Sequence, residues 1–122
     1  MSVQRIDRNS VKKILDGYIK REHSVVIKFY SSNCGLCHNL APFFQELSRT
    51  HEDVLFYAFN MEDGDGFEEK YDFEGVPTIC CVKTKGTKTT VKFVPEPEDP
   101  DGGEDGQWYH PAELNEFISQ NT

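Results

Sequence analysis

Cys34 and Cys37 stand two residues apart in the string Ser32-Asn33-Cys34-Gly35-Leu36-Cys37-His38. The string directly follows the apolar run Val25-Val26-Ile27-Lys28-Phe29-Tyr30. Two thiols at this spacing, where a strand gives way to a helix, are placed for reversible disulfide chemistry. The helix that follows aims unpaired backbone N–H groups and its positive dipole end at the first sulfur. That stabilises the thiolate, the form that attacks disulfides. Cys34-Gly35-Leu36-Cys37-His38 also matches a c-type haem attachment motif. Attachment of that kind needs export, so His38 is read as an exposed residue beside the site. There it either nudges the thiol pKa as a partial charge or does nothing.

The elements around the pair follow from periodicity. Val3 to Ile6 reads as a short first strand. Asp7 or Asn9 can cap a helix to about Lys20, with Val11, Ile14, Leu15, Tyr18 and Ile19 on one side. Ser24 to Tyr30 reads as a strand buried on both faces. A long helix runs from Cys34 to about Thr50, with Leu36, Leu40, Phe43, Phe44 and Leu47 at helical spacing and Pro42 expected to kink it. Val54 to Asn60 is a second strand, and strand–helix–strand on this scale predicts a parallel, right-handed crossover. A short helix over Gly66 to Tyr71 and a third strand over Thr78 to Val82 follow. Lys85-Gly86 turns the chain into an antiparallel partner, Thr87 to Val94. Pro111 then opens a last helix striped by Leu114, Phe117 and Ile118.

The 122 residues carry 21 acids against 13 bases, a formal charge of −8. Nucleic acid and anionic membranes are poor partners for such a surface. No apolar stretch reaches the length of a membrane span. Met1 to Asp7 lacks the apolar segment of a secretory signal, so a reducing cytoplasmic setting and a transient disulfide are expected. Residues 1–122 are read as one domain, with an acidic insertion at 95–107. Its stretch Pro95 to Gly106 holds six acids and three prolines. It reads as a solvated, self-repelling loop or as a docking arm for a basic partner.

On these residues the chain resembles the thioredoxin family. The strand–Cys34-Gly35-x-Cys37–helix arrangement is one match. Gly75-Val76-Pro77-Thr78 looks like the family's Gly-Ile-Pro-Thr turn, and Pro77 follows Cys34 by 43 positions, close to the family interval. The resemblance implies a thioredoxin fold, an α/β architecture with a central mixed sheet flanked by helices on both faces. It implies an enzyme, a thiol–disulfide oxidoreductase that reduces protein disulfides. Cys34 would be the exposed nucleophile and Cys37 the resolving thiol. Pro77 would be a cis-proline facing the disulfide, and the Val76 backbone would pair with an extended substrate chain. Asn33, Gly35 and Leu36 would belong to the substrate surface. The partners implied are disulfide-containing proteins and a thioredoxin reductase or glutathione-type reductant, acting on a monomer. No cofactor beyond the redox-active disulfide and no metal is implied. Isomerase or oxidase activity, and a protein-binding module, are the competing functions.

The chain departs from the family at four positions. Asn33 stands where most members carry Trp, and Leu36 where most carry Pro. Lys28 occupies the place of a buried Asp six residues before the nucleophile. Ala58 replaces the Lys that accompanies that Asp. A charged Lys28 would favour nearby thiolates, a desolvated one would have a lowered pKa, and a snorkelling one would do neither. Cys80 and Cys81 point to opposite faces of a strand and read as small core residues, or as thiols for regulation or cluster binding. His23, His51 and His110 read as surface residues. Trp108 and Tyr109 read as anchors for the last helix.

Overall fold

The computed structural model describes residues 3–19, 22–32, 34–63, 77–85, 88–95 and 111–122. Five strands form one sheet in the order β1-β3-β2-β4-β5. They are β1 (Gln4–Arg5), β2 (His23–Tyr30), β3 (Leu55–Asn60), β4 (Thr78–Lys85) and β5 (Lys88–Phe93). Among the described residues the helices are α1 (Arg8–Leu15), α2 (Gly35–Thr50) and α3 (Pro111–Asn121), with a 3-10 turn at Met61–Asp63. β3 is parallel to both β1 and β2, and β4 is antiparallel to β2 and β5. The mixed sheet and the parallel β2–α2–β3 unit therefore match the sequence reading.

β2 is central because both of its faces are apolar. Val25, Ile27 and Phe29 pack with Val11, Ile14 and Leu15 of α1 on one side. Val26 packs with Leu40, Phe44 and Leu47 of α2 and with Leu114 and Ile118 of α3 on the other. Helices thus cover both faces of the sheet. Phe29 meets Phe59 edge-on at 6.1 Å within the first core, and Phe44 meets Phe56 at 5.3 Å within the second. Such aromatic pairs contribute roughly 0.5–1.5 kcal/mol beyond area burial.

α1 starts at Asp7, whose carboxylate accepts the Ser10 N–H at 2.8 Å. It ends at Leu15, five residues before the predicted end. Gly17 takes φ +77° there, and the Tyr18 N–H donates to the Lys13 carbonyl at 2.9 Å, a glycine-terminated helix end. Tyr18 consequently leaves the apolar stripe and is 68% exposed. α2 continues through Pro42. β4 runs three residues past the predicted Val82, because Thr84 is buried and its hydroxyl meets that of Thr89 on β5 at 3.0 Å. His51, expected at the surface, is half-buried. It stacks on Phe56, and its Nε2 lies 2.8 Å from Asn115 Oδ1, so it ties the end of α2 to α3. The predicted helix over residues 66–71, the turn residue Gly86, most of the acidic insertion, Trp108, Tyr109 and His110 lie outside the described residues.

Candidate active site

β2 ends at Tyr30, and the chain turns through Ser31 and Ser32 into Cys34, the N-cap of α2. Cys34 and Cys37 are joined by a disulfide, with their Cα atoms 5.2 Å apart. The two sulfurs differ in environment. Cys34 is half-exposed at the helix start, whereas Cys37 is 3% exposed beneath it. The Cys37 N–H donates to Cys34 Sγ at 3.0 Å. This is one of the donors a helix start leaves unpaired, and it is aimed at the sulfur that becomes a thiolate on reduction.

Ser32 fixes the approach to the disulfide. Its N–H donates to Glu62 Oε1 at 3.3 Å, and its hydroxyl accepts from Asn60 Nδ2 at 3.3 Å. The Glu62 N–H in turn donates to Asn60 Oδ1 at 3.0 Å. The Ser32 carbonyl accepts from His38 Nε2 at 3.0 Å, and since a carbonyl only accepts, Nε2 carries the proton. His38 is exposed and holds the turn. The sequence reading missed Asn60 and Glu62. The available signal was the parallel β2–β3 pairing, which sets Asn60 beside Tyr30.

Pro77 is buried immediately before β4. Thr78 pairs with Phe29, so Pro77 sits at the same end of β2 and β4 as the Ser31–Cys34 turn. Gly35 and Leu36 form the first turn of α2, while Asn33 and Val76 lie outside the described residues.

Lys28 pairs with Ala58 of β3, as the family spacing implied, and is 7% exposed. Its Nζ lies over the Phe44 ring, 5.1 Å from the centroid, and 5.5 Å from that of Tyr30. It lines a cavity of about 280 Å³ together with Cys37, Ala41, Phe44 and Ala58. Among the described residues its partners are aromatic rings and no carboxylate. Burial therefore pushes its pKa down from the usual 10.5. The native state binds the Lys28 proton less well than the unfolded chain does. Its cost is full below the folded pKa and is relieved as pH rises through that value towards 10.5. A Lys28→Met variant should be more stable than wild type near neutrality by about 1–2 kcal/mol. That advantage should shrink on approaching 10.5, as urea unfolding at a series of pH values will read. An advantage that stays constant with pH would rule out a buried ammonium.

Cys80 and Cys81 are both buried, on opposite faces of β4. Burial raises both thiol pKa values, that of Cys81 to about 12. Both stay protonated and unreactive. Among the described residues, no group of three or more metal-ligating side chains gathers, and no helix is long and apolar enough to cross a membrane.

A thioredoxin family model matches residues 8–98. Thioredoxin-1 of Caenorhabditis elegans is 31% identical over 62 residues, 51% of this chain and 54% of that protein. The chain thus spans about half the length of that relative. Thioredoxin of Borreliella burgdorferi is 27% identical over 104 residues, 79% of this chain and 89% of that protein. The crystal structure of Malassezia sympodialis thioredoxin superposes with a TM-score of 0.68 at 21% identity, covering 98% of this chain and 90% of that one. Chloroplastic thioredoxin z gives 0.66 at 15% identity, covering 98% and 94%. With the family match spanning most of its length and a bonded cysteine pair capping α2, the chain belongs to the thioredoxin family and is a thiol–disulfide oxidoreductase.

Proposed function

We propose that the protein works as a reductant of disulfides in other proteins. The observation that carries this reading is the asymmetry of the pair, one sulfur half-exposed at a helix start and its partner buried below it. The Cys34 thiolate attacks a substrate disulfide. A Cys34–substrate bond forms, the substrate bond breaks and one substrate thiolate leaves. The Cys37 thiolate then attacks Cys34 Sγ. The Cys34–Cys37 bond closes, the second substrate thiolate leaves and two electrons have passed to the substrate. A thioredoxin reductase or a glutathione-type thiol reopens the bridge.

Pro77 serves as a cis-proline beside the sulfurs, and Val76 offers its backbone to an extended substrate segment. Asn33, Gly35 and Leu36 form the rest of the contact surface. Lys28 favours negative charge on Cys37 from inside the shared cavity, and His38 acts by holding the Ser32 turn. The disulfide is the only redox group the cycle requires. We read residues 1–122 as one domain with an acidic insertion at 95–107, acting as a cytoplasmic monomer. The net charge of −8 disfavours nucleic acid and anionic membranes as partners.

Equilibration in glutathione buffers, followed by alkylation and mass measurement, tests the direction of the cycle. A two-electron potential near −270 mV, with two thiols alkylated in the native protein, is expected for a reductant. A value near −180 mV would instead make the protein an isomerase or oxidant, the reading that a strongly acting Lys28 favours.

A further inference from the structure

Lys28 is one of four buried polar or charged side chains among the described residues, with Ser48, Thr78 and Thr84. The other three carry neutral hydroxyls, whereas Lys28 carries an amine that is charged at its ordinary pKa. An ammonium on a side chain only 7% exposed has lost most of its hydration, which favours a counter-charge beside it or loss of its proton. Among the described residues, the cavity wall offers no counter-charge. In a chain with 21 acids and 13 bases, the described residues lining this cavity include Lys28 and Arg5 and not one Asp or Glu. Gln45 adds a donor, because its Oε1 already accepts the Val3 N–H at 3.3 Å and its NH₂ end remains for a ligand. The rest of the wall includes Ala41, Phe44 and Ala58.

We propose that this cavity binds a small carboxylate, its anionic head paired with Lys28 and its apolar body lying against Ala41 and Ala58. The volume, about 280 Å³, lies at the lower end of small-molecule sites. It is larger than a single halide needs. A monoanion balances the one buried charge. Arg5, exposed on the two-residue edge strand β1, adds attraction at the mouth.

Cys37 lines the same cavity, so ligand and sulfur share one cation. A Cys37 thiolate and a bound carboxylate repel each other and compete for Lys28. The carboxylate therefore binds the disulfide form more tightly than the dithiolate form, and by reciprocity it draws the couple towards the disulfide. This last consequence rests on the cycle proposed above; the binding itself does not.

The test uses the full chain with its disulfide closed. Benzoate and its neutral amide, benzamide, are titrated in carboxylate-free buffer, followed by the backbone amide shifts of Lys28, Cys37 and Ala58. Benzoate should saturate below about 10 mM, a range set by a single charge pair and a small buried body. Benzamide and the Lys28→Met variant should each weaken binding at least about tenfold, the loss expected for a charge-assisted contact. Ala41→Leu keeps the lysine, substitutes an exposed helix position and narrows the cavity, and it should weaken benzoate as well. Failure of benzoate to saturate in this range, or equal binding by benzamide or by Lys28→Met, overturns the site. If the thiol pair did not cycle at all, these titrations would still decide the binding.

Discussion

A Cys37→Ser variant should react once with a disulfide substrate and then stop. Its Cys34 keeps the helix-start N–H donor and half-exposure that make it the attacking sulfur. The mixed disulfide forms, but the second thiol, held with its Cα 5.2 Å from that of Cys34, is gone. Resolution then depends on thiols from solution. Adjacent, oriented groups reach effective concentrations far above those of any free thiol, so turnover should fall by at least about 10³-fold. A covalent enzyme–substrate species should accumulate and disappear on adding reductant, as non-reducing electrophoresis will show. Cys34→Ser should form no such species and should also lose turnover. Turnover by Cys37→Ser within tenfold of wild type would mean that another thiol resolves the intermediate. Cys80 and Cys81 are poor candidates, being buried and protonated.

Phe44→Ala should be the costliest single substitution for stability around the site. Phe44 is fully buried in the second core, packs edge-on against Phe56 and lies under the Lys28 ammonium. Truncation removes the ring from both neighbours and enlarges a cavity that already holds a charge. A loss of about 3–5 kcal/mol is expected. In a chain of this size that lowers the midpoint of thermal unfolding by about 10–20 °C. Urea unfolding of the oxidised protein at neutral pH checks it. A loss below about 1 kcal/mol would mean that α2 collapses onto the sheet and refills the space.

Both expectations start from features legible in the amino-acid sequence. Val25 to Phe29 declared a doubly buried strand because it is apolar at every position but Lys28, and helices do cover both of its faces. Leu40, Phe44 and Leu47 declared the inner face of α2. The cysteine pair, at the junction of these two elements, was fully legible. Tyr18 and Ile19 continue the apolar spacing of α1 past its true end, and Gly17 carries the stop. Lys83, Thr84 and Lys85 look polar, so the sequence shows β4 only as far as Val82. Thr84 is buried only by virtue of its partner across the hairpin, and composition does not reveal a partner. The hydrogen bonds that join Ser32 to Asn60 and Glu62 are invisible in the sequence for the same reason, since they depend on the β2–β3 register and span about 30 positions of chain. Lys28 stood out in the sequence as a departure. Its cavity did not, because free volume arises from Ala41 and Ala58 meeting across two separate elements.

The twin cysteines of β4 bear on how such a molecule avoids entangling itself. A protein that trades sulfur bonds for a living risks turning that chemistry on its own spare thiols. Here one spare faces the core under α1 and the other the core under α2 and α3, with the sheet between them. Neither can meet Cys34 without the layers coming apart. Scrambling is thereby gated by global unfolding, and the fidelity of the redox cycle becomes a by-product of how firmly the two cores are closed.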